Sequence, residues 1–256
     1  MKKGIDLKKK LRGRKKLHFG LIDPMGESGE ERSEEEIKRL AKALKDSDGI
    51  MVGGTTVKTR ESVDKTIKAI KEVTKGIPVI LFPNSAEAVS RYADYIFFMM
   101  LMNSKRRKFL IGEQFKGASL VAKYKLKTIS MGYIIISTSK EPTMVEQVAD
   151  LDKIGKEDID KLVDYARTTQ YLGKDCVYLE AGSGADESVP NEMISAVRKA
   201  ISIPIIVGGG IRDKRTAEEK MDAGATVVVT GTSLEESIRK SKGIISAIKN
   251  FRRKKS

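Results

Sequence analysis

Eight short apolar runs succeed one another along this chain, at 17–23, 49–54, 78–83, 95–102, 132–137, 175–181, 204–210 and 226–232. They are rich in Ile, Val, Phe and Tyr and continuously apolar, as strands covered on both faces of a parallel sheet should be. Amphipathic stretches separate most of them. In 34–47, Ile37, Leu40, Ala41 and Leu44 fall at i, i+3, i+4 and i+7, with charges elsewhere. The stretches 60–74, 158–172, 191–200, 214–223 and 234–248 repeat the pattern. This alternation predicts an α/β fold, a single (β/α)8 TIM barrel, for which 256 residues is a fitting length. Two intervals depart from it. Only 84–94 separates the third and fourth runs, so the third helix is predicted to be short or missing. The interval 103–127 is long and unusually apolar, with Phe109, Leu110, Ile111, Phe115, Leu120 and Val121. It reads equally as the lining of a groove or oligomer interface and as a helix pair packed on the barrel.

The net charge of +14 suggests a nucleic-acid partner until it is located. Residues 1–16 carry a net +8 and residues 249–256 a net +5, which leaves about +1 for the intervening barrel domain, 17–248. The excess therefore reads as two solvated basic tails, with no apolar pattern in 1–10 that suggests packing. No aromatic residues are interleaved with the cations, so no nucleic-acid partner is expected. Weak peripheral contact of the tails with an anionic membrane or polyphosphate is the side reading. No apolar run approaches the roughly 20 residues of a membrane span. Cys176 is the one cysteine, which rules out an intrachain disulfide, predicts a small buried residue and favours a reducing, cytoplasmic setting.

The runs ending YLEAGSG (178–184), VGGGIR (207–212) and VTGT (229–232) close the sixth, seventh and eighth predicted strands. Glycine removes the Cβ that keeps an anion from the backbone, and a helix start follows each turn. These strand ends are where a barrel of this kind grips a phosphate. Glu180 stands beside that grip. Asp23 ends the first run and precedes Pro24, which holds it extended. It reads either as a turn-former or as a ligand for Mg²⁺, a hard cation that takes carboxylates together with phosphate oxygens. Thr55, after Gly53 and Gly54, either adds a hydroxyl oxygen or shapes a turn. His18, the single histidine, reads as a barrel-packing residue.

Other phosphate-gripping barrels fit less well. A Schiff-base aldolase needs a strand-end lysine, and the sixth run has none. A histidine-metal epimerase is undercut by the single histidine, and a reaction between opposed carboxylates finds only Ser137 opposite Asp23. An isomerase of a small sugar or triose phosphate, with Glu180 as base, remains the alternative.

Taken in order, LIDP, MVGGT, YLEAGSG, VGGGIR and VTGT resemble the geranylgeranylglyceryl phosphate synthase family, which includes the bacterial heptaprenylglyceryl phosphate synthases. The resemblance runs from about Leu17 to Ile248 and is closest to the family's larger, mostly archaeal group. It implies Mg²⁺-dependent transfer of geranylgeranyl from its diphosphate to the 3-hydroxyl of sn-glycerol 1-phosphate, the first ether bond of archaeal membrane lipids. By position, Asp23 and Thr55 would bind Mg²⁺. Tyr178, Leu179, Glu180, Ala181, Gly182, Ser183 and Gly184 would bind sn-glycerol 1-phosphate, together with Gly209, Gly210, Gly231 and Thr232. The family usually continues Asp-Pro with Asp-Lys, whereas Met25 and Gly26 follow here. Lys16, Lys58 and Arg212 are the candidates to replace that lysine. Related barrels assemble, so a homo-oligomer is expected.

Within that reaction Glu180 is the candidate general base for the acceptor hydroxyl, and Tyr178, two residues earlier on the same strand face, would orient the glycerol. Phe97, Met99, Leu101 and the stretch 109–121 would line an apolar groove for the prenyl chain.

Overall fold

The computed structural model describes residues 6–13, 15–26, 29–54, 57 and 59–254. Eight strands, β1 (Leu17–Ile22), β2 (Gly49–Val52), β3 (Val79–Leu81), β4 (Tyr95–Leu101), β5 (Lys127–Ile135), β6 (Cys176–Glu180), β7 (Ile205–Gly208) and β8 (Val227–Thr230), close into an all-parallel barrel. The seam is β1 against β8, with Leu17 opposite Val227 and Phe19 opposite Val229. Alternation along each strand divides the core in two. Phe19, Met51, Ile80, Phe97, Met131, Tyr178 and Val229 fill the barrel interior. Their neighbours in sequence, such as Ile22, Ile50, Leu179 and Val207, pack outward beneath the helices.

The helices are α1 (Leu7–Arg12), α2 (Glu34–Ala43), α3 (Arg60–Val73), α4 (Glu113–Lys123), α5 (Met144–Ala149), α6 (Ile159–Tyr171), α7 (Asn191–Ala200), α8 (Lys214–Ala223), α9 (Thr232–Glu236) and α10 (Ile238–Lys254). Side-chain caps set several starts: Ser33 accepts from the Glu36 amide, Thr59 from Ser62 and Asp213 from Thr216. The expected helix between β3 and β4 is a single 3₁₀ turn, Ala86–Ala88. The long interval after β4 becomes a π-helical turn, Lys108–Gly112, running directly into α4.

Four expectations need correction. Within the predicted N-terminal tail, 1–16, the described residues are not free: Leu7 and Leu11 are buried against Leu17 and Phe19, and the Leu7 amide donates to the Tyr95 hydroxyl at 3.1 Å. Their i, i+4 spacing puts both on one face of α1, while Lys8 and Arg12 pair with Asp175 and Lys10 with Asp48. At the other end, 249–256 is not a separate tail, because α10 continues through Lys254 with Phe251 against the core and Lys249 paired to Asp46. The fifth strand begins at Lys127 rather than 132, because its first two residues, Lys127 and Thr128, are exposed and polar and so lack the continuous apolarity of the other runs. The final helical stretch is two helices, broken at Ser237. Residues 1–5, 255 and 256 lie outside the described residues.

His18 and Cys176 are packing residues, as expected. His18 Nδ1 meets Ser47 Oγ at 2.9 Å and Nε2 meets Thr230 Oγ1 at 3.0 Å, so both ring nitrogens are held in the outer core. Cys176 is fully enclosed, and burial pushes its thiol pKa far up.

Candidate active site

At the carboxyl ends of the strands lies a cavity of about 310 Å³. Its floor is Tyr178 and Glu180, successive inward positions of β6. One wall comes from the glycine turns: Ser183, Gly184, Gly209, Gly210, Gly231 and Thr232. The opposite wall holds Asp23, Met25 and Gly54. The three glycine turns and the two carboxylates proposed from sequence therefore meet around one space.

Glu180 is 7% exposed. Its Oε1 accepts the Gly182 amide at 3.0 Å, and the Tyr178 hydroxyl donates to the same carboxylate. Burial still dominates and raises its pKa above the usual carboxylate range. The Tyr133 and Tyr178 hydroxyls are pushed well up by burial and by the nearby Glu180 charge, so both stay neutral donors. Tyr133, Tyr178 and Phe82 form an aromatic cluster with ring centroids 5.3–5.8 Å apart. Gly208 makes room for it, since a Cβ there would lie 2.1 Å from the Tyr178 hydroxyl oxygen.

Asp23 follows β1 directly. Its Oδ1 accepts the Met25 amide at 2.9 Å. Its Oδ2 occupies the place of a missing side chain: a Cβ on Gly54 would stand 1.7 Å from it. Desolvation raises the Asp23 pKa, against the lowering effects of the Met25 amide and the Arg32 guanidinium. Arg32 is a residue that sequence reasoning missed. Its Nε donates to the Asp23 carbonyl at 3.0 Å, and it also pairs with Glu36. Its place within an acidic stretch disguised it as a surface partner of the next helix.

The donor set at Asp23 suits a hard cation shared with a substrate. No group of three acidic, histidine or cysteine side chains forms a metal nest among the described residues. A single carboxylate is nonetheless a usual protein contribution where phosphate oxygens and water complete the shell of Mg²⁺. Thr55 and Lys58 lie outside the described residues. Lys16 is ruled out as a substitute for the family lysine, because its Nζ donates to the Ala225 carbonyl at 2.6 Å, below the start of β8 at the opposite end of the barrel. Arg212 does border the cavity, with its guanidinium donating to the carbonyls of Ala185 and Asp186.

Leu179 and Ala181 need correction as binding residues. Both side chains point into the outer core, and the Ala181 amide donates to the Gly208 carbonyl. The motif is contiguous in sequence, but a strand presents only alternate residues to one face. Gly182 acts indirectly: its φ of +99° and its contact with Thr143 fix the turn that hands its amide to Glu180.

A second recess of about 540 Å³ adjoins the first and shares Gly54, Phe82, Tyr133, Met144 and Val145 with it. It lies where the third helix is missing, between β4, the 3₁₀ turn and α4. Ile96, Phe98, Met99, Phe109, Val121 and Val148 give it an apolar lining. Of the expected lining, Met99 borders the groove openly, whereas Phe97 and Leu101 are almost sealed. Ile111 and Phe115 instead face outward. Asn84, Glu87, Glu113 and Gln114 add polar positions to the wall, and Gln114 donates to the carbonyls of Met99 and Phe109. The short helix α5, which the sequence did not suggest, closes the groove between its two ends.

Known proteins share this arrangement. The model of the PcrB family matches residues 9–251. Geranylgeranylglyceryl phosphate synthase of Thermococcus gammatolerans is 45% identical, with 88% of this chain and 86% of that protein covered. The synthase of Methanopyrus kandleri is 41% identical, with 94% and 98% covered. The crystal structure of (S)-3-O-geranylgeranylglyceryl phosphate synthase from Thermoplasma acidophilum, in complex with its substrate sn-glycerol-1-phosphate, superposes with a TM-score of 0.87 at 36% identity. It covers 96% of this chain and 97% of that one. With its barrel, its glycine-walled cavity and these relatives in accord, the chain belongs to the PcrB family, alongside the geranylgeranylglyceryl phosphate synthases.

Proposed function

We propose that this enzyme joins geranylgeranyl diphosphate to sn-glycerol 1-phosphate, forming an ether bond at the acceptor's 3-hydroxyl and releasing diphosphate. One observation carries the reading: a glycine-walled cavity holding Glu180 and Asp23 adjoins an apolar groove, and Gly54, Phe82, Tyr133, Met144 and Val145 border both. That shape suits two substrates of opposite character meeting at the junction, near Tyr133 and Phe82.

The acceptor's phosphate would rest against the glycine turns, with its hydroxyl toward Glu180. As the allylic C–O bond to diphosphate breaks, the acceptor oxygen bonds to the allylic carbon and its proton passes to the Glu180 carboxylate. A raised pKa suits that role, because it brings the base closer to the operating pH. Tyr178 donates to the same carboxylate, which holds it in place and leaves it one fewer lone pair to satisfy. Asp23 would hold Mg²⁺ together with the diphosphate, and the ion when bound supplies charge neutralisation to the leaving group. Arg212, on the rim, offers a further cation toward phosphate oxygens. Fixing both substrates in one recess removes much of the entropic cost of their encounter.

The test is direct incubation with sn-glycerol 1-phosphate, Mg²⁺ and a series of prenyl diphosphates, with products identified by mass spectrometry. The expected product is geranylgeranylglyceryl phosphate. No ether product with any donor would overturn the reading.

A further inference from the structure

The mouth of the apolar groove has a composition that the transfer reaction itself does not need. Phe115, 78% exposed, and Ile111 stand on the outer side of the π turn and α4. Across the groove, α5 presents Met144 and Val148, both more than a third exposed. Large apolar side chains held in water on neighbouring segments mark an interaction surface.

The same rim is strongly basic. Lys105, Arg106, Arg107 and Lys108 lead into the π turn and are all exposed, and Lys116 follows one turn into α4. Arg106 and Arg107 enter no ion pair among the described residues, while Lys116 pairs with Glu113. The Lys105 amide donates to the Asp150 carbonyl at 2.9 Å, which ties the basic run to the end of α5. Exposed cations and exposed apolar side chains thus share the segment 105–116 and α5, of which Lys108, Lys116, Met144 and Val148 border the groove itself. Apolar anchors interspersed with Lys and Arg match a bilayer bearing anionic headgroups, where cations meet the surface charge and the apolar groups enter the interface.

We propose that this rim docks the enzyme on anionic lipid membrane with the groove mouth facing the bilayer. The purpose of the docking rests on the groove being the prenyl channel: a long prenyl diphosphate resides in membrane, and a docked mouth takes it up without passage through water. The surface is distinct from the N-terminal segment, whose residues 7–12 form α1 at the other end of the barrel. A second copy of this chain is the competing occupant, but a concentrated run of like charge opposes self-association there.

The experiment measures sedimentation of the full-length protein with phosphatidylcholine vesicles, with and without phosphatidylglycerol, in the absence of substrates. Three proteins are compared: wild type, Phe115→Ser and the double variant Arg106→Glu, Arg107→Glu. Wild type is expected to sediment with the anionic vesicles only. A cation near such a surface changes partitioning about fivefold, so the double reversal should lower it by well over tenfold. Phe115→Ser should also lower it, and both variants should retain wild-type turnover of a short, water-soluble prenyl diphosphate. Absence of wild-type binding overturns the proposal. So does undiminished binding by both variants, which would assign the attraction to the basic termini. A smaller solution mass for Phe115→Ser, with no vesicle binding by wild type, would make the rim a contact between copies. Loss of soluble-donor turnover in wild type would instead count against the proposed reaction and leave the vesicle result to be read alone.

Discussion

A Cβ on residue 209 would stand 2.4 Å from Oε1 of Glu180, so the bare backbone of Gly209 packs directly on the carboxylate. Gly209 also holds a φ of +80°, a conformation that side chains oppose. The Gly208–Gly210 run therefore does more than offer backbone to an anion. It forms the mould for the acidic residue on the neighbouring strand, and Gly208 does the same for Tyr178.

Gly209→Ala is accordingly expected to displace the Glu180 carboxylate as well as crowd the phosphate. Turnover should fall about 10²-fold or more if Glu180 is the base, and KM for glycerol phosphate should rise. Steady-state kinetics with circular dichroism as a control for folding checks this. A rate near wild type with only KM raised would confine the glycine to phosphate binding.

Glu180→Gln keeps the shape and still accepts from the Gly182 amide, but it removes the basic oxygen. Its kcat should drop about 10²–10⁴-fold with little change in KM. Stability should move the other way. Burial raises the Glu180 pKa above its unfolded value. The folded state therefore binds this proton more tightly, and the stability this confers is present below the unfolded pKa and lost as pH rises through the folded pKa. The Gln variant escapes that loss. Its Tm should exceed that of wild type more at about pH 7 than at about pH 3, where Glu180 is protonated in both states. Equal differences at the two pH values would show that the buried carboxylate carries no such penalty.

Asp23→Asn removes the charge from the proposed Mg²⁺ ligand at nearly constant volume. A large loss of turnover is expected, only partly restored by excess Mg²⁺, with thermal stability unchanged or slightly raised because burial disfavours the ionised form. Proton competition gives a second readout. Since burial raises the Asp23 pKa, the Mg²⁺ concentration for half-maximal rate should climb as pH falls, starting above the ordinary carboxylate range. Wild-type activity indifferent to EDTA would remove the assignment.

The barrel was legible because a buried parallel strand leaves a continuous apolar run, and seven of the eight strands start within one residue of such a run. Lys127 and Thr128 broke that signal in β5, where the first two positions are polar and exposed. The short third helix was legible from spacing alone, but that the groove takes its place was not. The site was legible as a set of strand ends but not as a set of directions. Leu179 and Ala181 share a motif with Glu180 yet face the opposite side of the sheet, which follows from the period of two. Arg32 was hidden because a tertiary contact decides its role, and α5 because six residues are too few to show a helical period.

The least visible feature was α1, where nine cations in the first 16 residues mask two leucines spaced four apart. Reading residues 1–10 as lacking a packing pattern follows from that masking, and the structure opposes it. Leu7 is fully buried beneath the barrel with Leu11, Leu17 and Phe19, and its amide is held by Tyr95. Truncating such a side chain costs the lost burial plus the cavity left behind, about 2–5 kcal/mol for Leu→Ala. Leu7→Ala should therefore lower the urea midpoint without changing the slope of the transition. Because α1 lies at the end of the barrel opposite Glu180 and Asp23, kcat and both KM values should stay at wild-type levels well below the unfolding transition. A stability change under about 0.5 kcal/mol, the range of ordinary surface substitutions, would show that α1 does not seal the barrel in solution.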